Sequence, residues 1–202
     1  AALLGVDAAL FMASGTMSNL VAVLAHCRHG DEIIVGDQAH MYHSERGGSS
    51  VLGGTALRTV PTAPDGTLPI ATLRAALRDP ANVHHPPTGL ICLENTHLRC
   101  GGTVLDPSYM TRVRAVAGEA GVPVYLDGAR LFNAAVYLGI PARDLVRDVD
   151  AVSFSFSKTL GAPVCSILCG SAALIAEARR WRKAVGGGMR QPGVLAAAAL
   201  YA

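Results

Sequence analysis

The sequence predicts an α/β protein whose mostly parallel sheet is covered by helices on both faces. Three observations predict it. Short runs rich in Val, Ile and Leu recur along the 202 residues, and they are continuously apolar, as strands buried on both faces are. Helical patterns separate these runs, as the crossovers between parallel strands require. Half of the residues are hydrophobic, mean hydropathy is +0.35 and only 16% are charged. Such a chain buries a sizeable core and is not disordered.

The elements follow in order. Residues 1–10, AALLGVDAAL, are alanine- and leucine-rich and read as a helix. A long helix is expected over Thr16–His29, opened by Ser14-Gly15-Thr16, and a strand over Glu32–Gly36 (EIIVG). Strands are next expected at Ala56–Val60 (ALRTV) and Gly89–Leu93 (GLICL), flanking a helix at Ile70–Asp79. Helix Pro107–Gly121 leads to strand Val122–Asp127 (VPVYLD), and shorter helical stretches lie between Ala129 and Arg147. Strands Asp150–Phe156 and Val164–Gly170 precede a helix at Ser171–Val185 and a last apolar helical run, GVLAAAALYA, at 193–202. No repeat, low-complexity tract or linker divides the chain, so a single layered domain is expected.

Composition also narrows the partners. Seventeen basic against 15 acidic residues leave a net charge of +2, which makes no electrostatic case for nucleic acid or an anionic membrane. A small-molecule partner is expected. Two uncharged stretches, 8–27 and 159–176, are about as long as a short membrane span. The turn and polar residues inside them, Ser14-Gly15-Thr16, Ser18-Asn19, Gly161, Pro163 and Gly170, fit buried α/β elements instead. No basic segment precedes an apolar run. A cytoplasmic location is expected, and a mitochondrial leader ahead of Ala1 is left open. The five cysteines, Cys27, Cys92, Cys100, Cys165 and Cys169, are odd in number and mostly set among aliphatic residues; they read as reduced core thiols. His26-Cys27-x-His29 and His40-x-x-His43 lack a second ligand pair, so no metal site is expected.

Ligands of parallel sheets bind beyond the carboxyl ends of the strands. Three such ends carry unusual polar groups: Asp127, Lys158 and the turn Glu94-Asn95-Thr96-His97. A fourth place is the helix start at Gly15 and Thr16, whose backbone N–H groups suit a phosphate, although Ser and Thr there usually only cap the helix. Asp127 either caps the next helix, pairs with Arg130, or holds a protonated ring nitrogen. Lys158 follows the alternating run Ser153-Phe154-Ser155-Phe156-Ser157. It is either a snorkelling surface residue or a desolvated amine able to form an imine. His40, just past Glu32–Gly36, is a satisfied loop histidine, a stacking partner for a flat ring, or a proton shuttle. Together Lys158, Asp127 and the helix start supply what pyridoxal 5'-phosphate needs: an amine for its aldehyde, an acid for its pyridine nitrogen and an anion site.

The motifs SGTMSNLVAVLAHCRHGDEIIVGDQAH, LENTH, YLDGARLFNAA, SFSKTLGAPV and WRKAVGGGMRQPG occur in this order. With them the chain resembles the low-specificity L-threonine aldolases, fold-type-I pyridoxal-phosphate enzymes related to the β-eliminating lyases. The resemblance implies an aspartate-aminotransferase-like large domain over residues 1–202, with an N-terminal segment and a small C-terminal domain outside them. It also implies a homodimer or homotetramer with shared active sites. Carried over residue by residue, Lys158 is the lysine that bonds the cofactor aldehyde, Asp127 the partner of the pyridine nitrogen and Arg130 the neighbour of the phenolic oxygen. Gly15 and Thr16 cradle the phosphate, and His40 stacks on the ring. His84 lies near the substrate hydroxyl, and His40 or His84 acts as base. Lys183 and Arg190 approach the phosphate and substrate region, in part from a neighbouring subunit. The implied reaction cleaves L-threonine or L-allo-threonine to glycine and acetaldehyde. Racemisation or β-elimination on the same fold, and a non-catalytic homologue, are the alternatives. The sequence departs from the family pattern at Thr159 and Cys165, both commonly glycine, at Leu98 and at His43-Ser44. A threonine at 159 clashes if that position requires φ > 0.

Overall fold

A computed structural model of the protein describes residues 1–201. Seven strands form one sheet: β1 (Ala8–Met12), β2 (Glu32–Gly36), β3 (Ala56–Val60), β4 (Thr88–Glu94), β5 (Val124–Asp127), β6 (Ala151–Ser155) and β7 (Ser166–Gly170). Their spatial order is β1-β7-β6-β5-β4-β2-β3. The five strands from β6 to β3 are parallel, and β7 runs antiparallel to both of its neighbours. The expected mostly parallel sheet is therefore present.

The helices are α1 (Gly15–His26), α2 (His40–His43), α3 (Gly48–Val51), α4 (Ile70–Ala76), α5 (Pro107–Glu119), α6 (Leu131–Leu138), α7 (Ala142–Leu145), α8 (Ala172–Ala184) and α9 (Gly193–Tyr201). Successive side chains of each strand alternate between two cores. Ile34, Ile91, Leu93, Leu126, Val152 and Phe154 pack beneath α4–α7. Ile33, Val35, Leu90, Cys92, Tyr125 and Leu168 pack beneath α1 and α8. Every residue of β2 is buried, which explains why the strands read as continuous apolar runs.

The expected opening helix is not formed. Only Ala2–Leu4 make a short 3₁₀ turn, closed by Gly5 at φ 67°. Ala8–Met12 form β1, paired with β7 from Ala8↔Gly170 to Met12↔Ser166. Alanine's helix preference is worth only tenths of a kcal/mol per residue. Pairing with β7 and burial of Leu10 and Met12 outweigh it. The other expected elements are present, β2 and β3 with the expected bounds, β4 one residue longer at each end and several helices shortened: α1 stops at His26 because Cys27 is extended at φ −106°, ψ 154°, and α4 stops at Ala76 because Leu77 is extended. The expected last helix is α9, with Ala202 outside the described residues. Among the described residues no helix is long and apolar enough to cross a membrane. All five cysteines are free, with Cys92, Cys165 and Cys169 buried.

Candidate functional site

The carboxyl edge of the sheet brings polar residues together by register. Glu94 on β4 lies beside Asp127 on β5, and Asp127 lies beside Ser153 on β6. The start of α1 faces this row. Ser14 is extended at φ −157°, and its Oγ accepts a hydrogen bond from the Met17 amide at 3.1 Å, which caps the helix. Among the described residues, the Gly15 and Thr16 amides carry no hydrogen bond. Both residues line a cavity of about 360 Å³ together with His40, Asp127 and Lys158. A Cβ on Gly15 would meet nothing within 4 Å. The space before these N–H groups and the helix dipole is open to an anion.

Asp127 ends β5 and is only 8% exposed. Its Oδ2 accepts from Asn19 Nδ2 at 2.8 Å and its Oδ1 from the Ala129 amide at 3.1 Å. Burial, then the nearby Glu94 charge, pushes its carboxyl up to about 6; the Asn19 hydrogen bond pulls down, Glu45 pushes up, and Lys158 pulls down. Asn19 uses every polar atom it has. Its amide also donates to Glu45 Oε1 at 2.6 Å, and its Oδ1 accepts from the Tyr125 hydroxyl at 2.6 Å. Tyr125 in turn meets Ser153 Oγ at 2.7 Å. With Asn19 taking the tyrosine proton, Ser153 is the donor. Burial holds the Tyr125 hydroxyl well above its ordinary pKa, so it stays a donor to Asn19.

His40 opens α2, and its backbone N–H donates to Glu94 Oε2 at 2.8 Å. Its Nδ1 lies 2.9 Å from Glu45 Oε1. That hydrogen bond raises the imidazole's pKa; burial opposes it, and the charges of Glu45, Asp127 and Glu94 add to the rise. His40, Glu45 and Asp127 offer ligand atoms within 4.8 Å of one another, a spacing a metal ion could use. Here the Asn19 amide donates to both carboxylates, which makes the group a hydrogen-bonded network.

Lys158 follows β6 on a loop closed by two backbone bonds, Phe156 N to Cys165 O and Ala162 N to Phe156 O, both 3.0 Å. Beneath it, Phe154 and Phe156 pack edge-on to one another, with Phe132 on Phe154 and Phe11 on Phe156. Lys158 lines the cavity but is exposed, so within this chain it is not the desolvated amine the strand pattern suggested. The expected strain at Thr159 is absent, because that residue keeps a negative φ. The strain sits instead at Cys165, whose φ is 86° and which also lines the cavity.

The other expected residues lie apart from this cavity. Arg130 and Thr159 face a larger neighbouring cleft of about 1040 Å³, while their predecessors Ala129 and Lys158 face the smaller one. His84 is exposed in the turn leading into β4, at the amino edge of the sheet, and does not reach the cavity of its own chain. Lys183 and Arg190 are exposed. The Lys183 amine lies against Gly188, and the adjoining Gly187 packs on Met17 of α1, so this turn borders the helix start without lining the cavity. Asn19, Tyr125 and Glu45 were not singled out by sequence reasoning. A buried Asn one turn inside an apolar helix was the available signal for the first. Glu45, in a polar loop stretch, offered none.

The beta-eliminating lyase family model matches residues 1–202. Low-specificity L-threonine aldolase 1 of Arabidopsis thaliana is 48% identical over 204 residues, covering 100% of this chain and 57% of the relative. Low specificity L-threonine aldolase of Escherichia coli K12 is 43% identical over 202 residues, covering 100% of this chain and 60% of the relative. Among solved structures, the Leishmania major threonine aldolase superposes with a TM-score of 0.85 at 26% identity, over 95% of this chain and 56% of that one. The chain thus spans less than two thirds of the length of these relatives. With a family match running from its first residue to its last and relatives 48% and 43% identical over its whole length, the chain belongs to the beta-eliminating lyase family.

Proposed function

We propose that the protein binds pyridoxal 5'-phosphate and cleaves L-threonine or L-allo-threonine to glycine and acetaldehyde, as a carbon–carbon lyase of threonine breakdown. The observation that carries this reading is Asp127. It is a buried carboxylate raised to about 6, flanked by Glu94 and Glu45, and it opens on the same cavity as a lysine and a helix start whose Gly15 and Thr16 amides are free among the described residues. A carboxylate so placed favours a cation against it. The protonated ring nitrogen of the cofactor is such a cation, the Gly15 and Thr16 amides suit its phosphate, and Lys158 suits its aldehyde. The residues present therefore fit the group.

When bound, the cofactor supplies an electron sink for the pair left on the substrate's α-carbon. The protein's own residues do the rest. Asp127 holds negative charge beside the ring nitrogen. Asn19 fixes that carboxylate's orientation with one hydrogen bond, at 2.8 Å. His40 lines the cavity where His84 does not, which favours it as the group that takes the β-hydroxyl proton, directly or through water. The cluster of four aromatic rings, Phe11, Phe132, Phe154 and Phe156, steadies the loop that carries Lys158.

The 202 residues are proposed to form part of a large cofactor-binding domain in a homodimer or homotetramer. Exposed apolar side chains support this: Val136 and Tyr137 on α6 beside the larger cleft, and Val194 and Leu200 on α9. In such an assembly Lys183 and Arg190 complete the phosphate and substrate region, and Arg130 stands beside the cofactor's phenolic oxygen.

The test is borohydride reduction of the intact protein with cofactor, followed by peptide mass analysis and product analysis with L-threonine. Label on the Lys158 peptide, lost in Lys158→Ala, with acetaldehyde and glycine as products, is the expected result. Equal labelling of the Lys158→Ala variant overturns the cofactor assignment. D-threonine or ammonia in place of acetaldehyde overturns the reaction.

A further inference from the structure

We propose that Glu45 is a positioning residue for His40: it fixes which imidazole nitrogen carries the proton and turns the other toward the cavity. This rests on the reading of the cavity given above, and its test is separable from that reading.

The geometry is specific. One oxygen, Glu45 Oε1, receives both the Asn19 amide at 2.6 Å and His40 Nδ1 at 2.9 Å. A carboxylate already accepting from Asn19 cannot donate to the ring through that oxygen, so Nδ1 must be the donor and Nε2 is left as the titrating nitrogen. Glu45 is only 7% exposed, which keeps water from competing for the contact. The main chain of His40 is held independently by Glu94 Oε2 at 2.8 Å, so the ring's rotation is the freedom left for Glu45 to remove. The same Asn19 amide holds Asp127 at 2.8 Å. Glu45 thus ties the imidazole and the Asp127 carboxylate to one rigid donor buried in α1.

The acidic groups facing His40 are Glu45 from the stretch between α2 and α3, Glu94 from β4 and Asp127 from β5, and the cationic group lining the same cavity is Lys158. The three carboxylates favour the imidazolium, and among the described residues Glu45 is the one hydrogen-bonded to the ring. Removing its charge while keeping its shape therefore isolates its role. Gln at this position can present Oε1 to both Asn19 and His40, whereas Ala presents nothing.

The experiment follows the ring nitrogens of His40 by ¹⁵N-detected NMR across pH 5–9 in the intact protein without cofactor, comparing wild type with Glu45→Gln and Glu45→Ala. Wild type is expected to show the Nδ1–H form when neutral and to titrate above an ordinary histidine. Glu45→Gln should keep the Nδ1–H form but titrate lower, and Glu45→Ala should lose the tautomer preference as well. An unchanged tautomer and midpoint in both variants overturns the proposal, as does an Nε2–H form in wild type. If Glu45→Ala fails to fold, Glu45→Gln alone decides through its midpoint. Borohydride labelling of Lys158 is read on portions of the same preparations after pyridoxal 5'-phosphate is added: its absence from wild type sinks the cofactor reading while the His40 result stands.

Discussion

Asn19 Nδ2 stands 2.8 Å from Asp127 Oδ2, joining the second turn of the first helix to the end of the fifth strand across 108 positions of chain. The same amide holds Glu45, and its carbonyl holds Tyr125. One side chain therefore satisfies three buried partners, and such networks fail cooperatively when a member is lost. Asn19→Leu should destabilise the protein by about 3 kcal/mol, since it strands two carboxylates and a hydroxyl. Chemical denaturation measures it. Asn19→Asp adds another carboxylate at the same point, and its cost should be greater at pH 8 than at pH 5.

Asp127 predicts a pH dependence of its own. Its carboxyl rises from 3.8 to about 6 on folding, so the native state binds the proton more tightly than the unfolded chain. The stability this contributes is fully present below pH 4 and is lost as pH rises through 6. In the cofactor-free protein, the stability of Asp127→Asn relative to wild type should increase by on the order of 3 kcal/mol between pH 4 and pH 8. Urea titrations at several pH values test it. A flat difference would show that Asp127 is not raised.

Cys165 inverts the usual ranking of alanine and glycine. At an ordinary site glycine is the worse residue by roughly 0.5–1 kcal/mol. At φ 86° any side chain costs about 1–3 kcal/mol of backbone strain. Cys165→Gly should therefore be more stable than Cys165→Ala by about 1 kcal/mol, and Cys165→Val the least stable of the three. Denaturation midpoints at constant slope give the order.

Gly128 is required for a different reason. Its amide donates to Ser153 O at 2.8 Å, and a Cβ there would sit 2.7 Å from that same oxygen. Gly128→Ala should push β5 from β6 beside Asp127 and cost about 2 kcal/mol. Gly118, on α5 with nothing within 4 Å of its Cβ position, is the control. Gly118→Ala should gain about 0.5 kcal/mol from helix propensity. Thermal melts of the two variants should move in opposite directions.

Much of the architecture was legible in the residues. Short apolar runs such as EIIVG and GLICL, bounded by turns and alternating with helices, read as strands covered on both faces because they are too short for buried helices. Asp127, Lys158, His40, Gly15 and Thr16 stood out for the same reason: polar groups at the ends of such elements meet the place where ligands bind. The structure gathers all five around one cavity. The opening strand was not legible. Alanine-rich Ala8–Met12 has no local reason to be extended and becomes a strand only because β7, distant in sequence and paired from Ala8↔Gly170 to Met12↔Ser166, offers an edge.

What the sequence by itself determined is the layer structure, the family and the identity of the chemical groups, since each is written in local pattern or motif. Tertiary structure alone decided the partners. It made Asn19 the hub, gave His40 to Glu45, put the backbone strain at Cys165 in place of Thr159, and left Arg130 facing the neighbouring cleft. Hydrogen bonds and cavity walls depend on which distant segments fold against one another, and a charge acquires its pKa only from the burial and neighbours that this packing supplies.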